Sequence, residues 1–157
     1  MRLWRFGEVS PVRENTIVCG VTGSEVSERA VREAAFLAKE RGARLIITYA
    51  VDASFLHGIT IELRPEFAEH SLEQMGKHIL ERMAELARKE GVEPICVMKK
   101  GRMLEVLKEV AMENKGSLLV LGKEEPSFFH KVLFKDEVED HVRELRERTG
   151  LEVMLVK

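Results

Sequence analysis

The stretch from Thr16 to Arg41 constrains the fold of this chain more than any other. Thr16-Ile17-Val18-Cys19-Gly20-Val21 shows no polar alternation, so it reads as a strand covered on both faces. Thr22-Gly23-Ser24 is a tight polar turn, and Ser24 is placed to cap the helix that follows. Glu25 and Glu28 suit the positive end of that helix, while Lys39 and Arg41 suit its far end. Val26, Ala30, Ala34, Leu37 and Ala38 recur at three- and four-residue steps, which puts them on one face, and Gly42 is placed to stop the helix. A buried strand feeding an amphipathic helix is the first half of a right-handed βαβ unit.

The same alternation continues. Arg44 to Val51 reads as a second buried strand ending at Asp52. A mixed loop reaches Pro65, which opens a helix over about Glu66 to Glu90, with Leu72, Met75, Ile79, Met83 and Leu86 as its stripe. Gly76 within it costs about 1 kcal/mol relative to alanine, so a close contact is expected there. Glu93 to Met98 is a third strand, and Met103 to Asn114 a third helix on Leu104, Leu107 and Ala111. Ser117 to Leu121 is a fourth strand stopping at Gly122, and a fourth helix runs from about Asp136 to Arg148 on Val138, Val142 and Leu145. Gly150 releases the chain into Leu151 to Val156. Strands alternating with helices predict an α/β fold: a Rossmann-like, doubly wound, five-stranded parallel sheet with helices on both faces. In the last strand Leu151, Val153 and Leu155 alternate with Glu152, Met154 and Val156, which suits an edge. An apolar edge invites pairing with a second copy, so a homodimer through Leu151, Val153 and Leu155 is expected.

The 157 residues fit one domain, residues 16–157, preceded by an arm, residues 1–15, whose Trp4 and Phe6 are expected to tuck into a groove on the body or on a partner subunit. With 25 basic and 27 acidic residues interspersed, the net charge of −2 offers no footprint for nucleic acid. No apolar run approaches the roughly 18 residues of a membrane span, and the N-terminus shows no apolar signal core, so a cytoplasmic location is expected. Cys19 and Cys96 fall inside predicted strands and read as small core residues. His70, Gln74 and His78 share a helical face, but histidines two turns apart lack the one-turn chelate spacing, so no metal site is expected. His57 and His130 sit in loops that border the expected cleft but have no named partner, and His141 reads as a surface pair with Glu137. No Ser–His–Asp or Cys–His set assembles, and the expectation is a protein without catalytic activity.

Five segments stand out in order and spacing: Val21-Thr22-Gly23-Ser24-Glu25-Val26-Ser27-Glu28-Arg29-Ala30-Val31, Tyr49-Ala50-Val51-Asp52, Gly101-Arg102-Met103-Leu104-Glu105, Leu118-Leu119-Val120-Leu121-Gly122 and Val153-Met154-Leu155-Val156. Through them the chain resembles, from Thr16 to the C-terminus, the universal stress protein family. The resemblance implies a dimer formed by antiparallel pairing of last strands, a stress-linked role in the cytosol and, in many members, ATP binding. Ligands in such sheets sit beyond the carboxyl ends of the strands, at the switch between the first and fourth. The candidate cleft is therefore Val21, Thr22, Gly23, Ser24, Ala50, Val51, Asp52, Gly101, Leu121, Gly122, Lys123, Glu125, Lys135 and Asp136.

In ATP-binding members the fourth strand leads into Gly-x-x-Gly, nine residues, then Gly-Ser or Gly-Thr, whose glycines let backbone N–H groups approach the phosphates. Counting from Gly122, the second glycine position holds Glu125, and after Pro126 to Phe134 the Gly-Ser position holds Lys135-Asp136. Glu124 and Glu125 put carboxylates where a triphosphate needs donors; Lys123, Lys131 and Lys135 offset this in part without recreating an amide cradle. Thr22 also stands where nucleotide-binding members carry an aspartate near the adenine. Thr22 to Ser27 is similar to the Ser-Gly-Gly-x-Asp-Ser loop of ATP pyrophosphatases but lacks its second glycine and aspartate. The expectation is a homodimeric stress-response module without tight ATP binding, acting through a protein partner or a non-nucleotide ligand. The alternative is an adenine-nucleotide switch taking ATP or AMP with at most slow hydrolysis. A further alternative is an inert subunit for a glycine-containing paralogue.

Overall fold

The computed structural model describes residues 15–52, 65–123 and 138–157. The arm, the loop holding His57, and the segment with Glu125, His130, Lys135 and Asp136 lie outside the described residues. Within them, β1 (Thr16–Gly20), α1 (Glu25–Arg41), β2 (Arg44–Val51), α2 (Pro65–Lys89), β3 (Ile95–Lys100), α3 (Met103–Glu113), β4 (Leu118–Gly122), α4 (Val138–Thr149) and β5 (Glu152–Val156) follow one another in chain order.

The strands form one sheet in the order β3-β2-β1-β4-β5, every adjacent pair parallel. β1 is central because it is the strand with no polar side to wet: all five of its residues are buried. Val21 lies one residue beyond the strand, yet its N–H still bonds the Thr48 carbonyl at 3.0 Å. β1 runs in register with β2 from Thr16 against Arg44, and with β4 from Ile17 against Leu118. One core layer joins alternate strand residues such as Ile17, Cys19, Leu45 and Ile47 to α1 and α2. The other joins Val18, Ile46 and Leu119 to α3 and α4. Helices on both faces of a parallel sheet complete the doubly wound architecture expected from the alternation of elements.

Local chemistry sets the ends of α1. Ser24 Oγ accepts from the Ser27 N–H at 3.2 Å, and Gly42 adopts φ 63°, where its N–H reaches the Ala38 and Lys39 carbonyls. Its buried face is wider than the five-residue stripe, for Ser27, Val31 and Ala35 join it. In α2, Gly76 is explained by contact: a Cβ there would lie 2.6 Å from Cδ1 of Tyr49 and 2.9 Å from Sδ of Met98.

Three expectations need correction. β3 begins at Ile95 rather than Glu93 and ends at Lys100 rather than Met98. Its hydrogen-bonded span is set by pairing with β2 from Ile46 to Val51, not by the apolar run alone. Because β3 is an outer strand, Cys96 is exposed rather than part of the core. Met75 is 53% exposed, while the buried hydrophobic residues of α2 are Leu80, Met83, Ala84 and Ala87, so that two alanines do part of what a stripe of large residues was expected to do.

Candidate functional site

The strand order puts the carboxyl ends of β1 and β4 side by side, with β1 leading to α1 on one face and β4 leading away toward α4 on the other. In doubly wound sheets the space above two such diverging strand ends is the usual ligand crevice. Val21 forms its fully buried base, Thr22 and Gly23 are exposed at its lip, and Ser24 is half-buried. Leu121 and Gly122 close the opposite side, followed by exposed Lys123. Ala50, Val51 and half-buried Asp52 end the neighbouring strand, and Gly101 N–H bonds the Val51 carbonyl at 3.0 Å. The described members of the expected cleft therefore share one end of the sheet.

Two glycines there are fixed by close approach. A Cβ on Gly122 would lie 2.9 Å from Val26 Cγ1 and 3.0 Å from the Val26 backbone, so β4 can end against the first turn of α1 only without a side chain. Gly23, at φ 96°, would set a Cβ 2.9 Å from Ile79 Cδ1, which makes α2 a wall of the same mouth. Ile79 was read from the sequence as a core residue alone.

Three hydroxyls knit the β1–α1 turn. Ser27 Oγ accepts from the Thr22 N–H at 2.9 Å and lies 3.1 Å from Thr22 Oγ1. Ser24 Oγ lies 3.3 Å from both the Thr22 and the Ser27 hydroxyls. The Glu28 N–H bonds the Ser24 carbonyl at 3.1 Å. The amides of Thr22, Ser27 and Glu28 are thus spent inside the turn rather than presented to a ligand. Ser27 was not singled out from the sequence; the signal was the spacing Thr22-x-Ser24-x-x-Ser27, which returns a third hydroxyl to the same helix end.

Neither described cysteine is poised as a nucleophile. Burial pushes the Cys19 thiol up to about 12. Partial burial also raises that of Cys96, whose Sγ turns toward the Leu80 carbonyl at 3.9 Å, while Arg88 opposes the shift. Among the described residues no group of three His, Cys, Asp or Glu side chains could hold a metal ion, and no helix is long and apolar enough to cross a membrane.

The sequence pattern of the universal stress protein family matches residues 14–146. This chain belongs to the universal stress protein family. Universal stress protein MJ0531 of Methanocaldococcus jannaschii is 31% identical over 106 residues, covering 68% of this chain and 62% of that protein. Among solved structures, a universal stress protein in complex with cAMP superposes with a TM-score of 0.67 at 24% identity, covering 91% of this chain and 97% of the other. The universal stress protein of Archaeoglobus fulgidus in complex with dAMP gives 0.61 at 21% identity, covering 90% and 97%. These structural likenesses carry the fold and leave the ligand to the residues of the cleft itself.

Beyond the cleft, the outer strand β5 has two kinds of surface. The Val153 side chain is buried in the layer with Val142 and Leu145, with Leu151 and Leu155 packed against it. The Val156 carbonyl accepts from Lys123 N–H at 2.7 Å, so its backbone faces β4, and by alternation Val153 and Leu155 turn theirs to the open side. There Arg146 Nη2 donates to the Val153 carbonyl at 2.8 Å.

Proposed function

We propose that this universal stress protein is a non-catalytic, homodimeric stress-response module whose cleft has lost tight ATP binding. The observation that carries the reading is Glu125 and Lys135-Asp136 at the positions where ATP-binding members place their phosphate-loop glycines. A glycine loop holds a triphosphate by its amides; a carboxylate there repels the phosphates, and every added Cβ holds the backbone off. The turn at Thr22 adds support, because its amides are already committed to Ser24 and Ser27. Acting through contacts, the module would pair with a second copy along β5, whose open backbone groups at Val153 and Leu155 suit strand addition. Such pairing must take over the Val153 carbonyl from Arg146.

The test is a triple replacement, Glu125→Gly with Lys135→Gly and Asp136→Ser, followed by calorimetric titration with magnesium-ATP. Gain of a saturable ATP site that the unmodified chain lacks is expected. A replaced chain that still ignores ATP would show that the cleft is closed for reasons other than the lost glycines.

The second reading is an adenine-nucleotide switch. It is favoured by the cAMP and dAMP named in the two solved relatives, ligands that each carry one phosphate and so ask less of a glycine loop. Stabilisation by AMP without stabilisation by ATP would select it.

A further inference from the structure

At the pole of the sheet opposite the cleft, the last turn of α1, the connection between α2 and β3 and the starts of β2 and β3 border an open groove of about 360 Å³. Ala38 and Leu45, each 1% exposed, form its floor. Half-buried Ala43 and Val92 wall it, and Ile95, 45% exposed, stands at its rim. Gly42 and Gly91, both at positive φ, leave the space open; a Cβ on Gly91 would lie 3.2 Å from Lys39 Nζ. Lys39, Arg44 and Glu93 share the lining with these apolar residues, and a half-apolar opening beside the unpaired start of β3 is an edge that native proteins tend to cover.

The chain outside the described residues supplies a cover. Residues 1–14 include Leu3, Trp4, Phe6 and Val9, and Trp4 is the sole tryptophan of the protein. The arm joins the body at Asn15, whose carbonyl accepts from the Arg44 N–H at 3.1 Å, and Arg44 itself lines the groove. The arm therefore leaves the body at the groove's own rim. Phe6 precedes Asn15 by nine residues, a reach of up to about 30 Å when extended. From β1 to β3 is two strand spacings, about 10 Å. Lys39 also places an ammonium beside the opening, where an indole face attracts a cation.

We propose that Leu3 to Phe6 fold back onto this groove in the same chain, seating the Trp4 indole against Val92 and Ile95 and closing the lower pole of the sheet. The sole tryptophan makes the test direct. In the intact chain, Trp4 emission should be blue-shifted relative to the urea-unfolded state and shielded from acrylamide. Ile95→Glu at the rim and Val92→Glu at the wall should each return emission and quenching toward the unfolded values while circular dichroism keeps the native signature. Met112→Glu, on the outer side of α3 where Met112 is 60% exposed, should change neither. Free-indole emission in the intact native chain would overturn the proposal. So would shielding that both groove variants leave untouched, which would seat the arm elsewhere. Shielding lost on dilution would also overturn it, since a second copy would then be holding the arm.

Discussion

Gly76 shows how a single missing side chain is decided by its neighbours. Intrinsic propensity favours alanine in a helix interior by about 1 kcal/mol. Here a methyl group would meet the Tyr49 ring at 2.6 Å and Met98 Sδ at 2.9 Å. Overpacking of this kind costs about 1–3 kcal/mol, so Gly76→Ala should lower the Tm in a thermal melt despite the better helix former. Thr48 poses the opposite case. Its Oγ1 is the buried side-chain oxygen without a hydrogen-bond partner among the described residues. Thr48→Val, which removes an unsatisfied hydroxyl at nearly constant volume, should leave the Tm unchanged or raised. The two cysteines should also separate: a thiol reagent should modify Cys96 alone in the native chain and both residues after unfolding, because only Cys19 is buried. Gly76 was legible as a close contact because glycine inside a strong helical pattern costs stability and needs a reason. Exposure of Cys96 was not legible, since an apolar strand sequence does not say which strand ends up outermost.

At the scale of elements, the ends of α1 were legible because capping residues are local chemistry, and Ser24 and Gly42 behave as their types require. Ser24→Ala removes the cap and one of three linked hydroxyls, and should cost about 1 kcal/mol, read as about 2–4 °C of Tm. The shift of β3 was not legible, because pairing with β2 rather than local propensity sets where it starts. The outer half of β3 is guarded by charge: Lys99 reaches Glu113 at 2.7 Å and Lys100 reaches Glu69 at 3.2 Å. The hydrogen bond from Lys99 holds the Glu113 carboxyl below its ordinary 4.5 and raises Lys99. A carboxyl depressed in the folded state stabilises above its unfolded value and stops doing so as pH falls through its folded value. The difference in Tm between the unmodified chain and Glu113→Gln should therefore be present at neutral pH and vanish in acid below 4.5. β5 is guarded by Arg146, which long-range packing brings to the Val153 carbonyl and which no local pattern marks. If the dimer forms on that edge, Arg146→Ala should tighten it in sedimentation equilibrium by releasing the carbonyl.

For the whole molecule, the alternation of strand and helix was enough to give the doubly wound class, because parallel strands need crossovers and right-handed crossovers leave few topologies. The order β3-β2-β1-β4-β5 then brings the carboxyl ends of β1 and β4 together, where Gly122 abuts Val26 and Gly23 abuts Ile79. What the sequence alone hid was how the turn at Thr22 spends its amides, because that depends on Ser27 folding back one helical turn later. In the proposed function, Glu125 and Lys135-Asp136, at the sequence positions of the phosphate-loop glycines, turn such a cleft away from triphosphates. Ligand that binds the native state raises Tm by mass action, by about 2.7 kcal/mol of stability at a hundredfold excess over Kd. The decisive measurement is therefore a thermal-shift series of the intact protein with ATP, ADP and AMP, with and without magnesium. No shift with ATP at millimolar concentration is the predicted result. A saturable rise in Tm with magnesium-ATP would contradict the account and make the segment from Lys123 to Asp136 a working phosphate site of a different design.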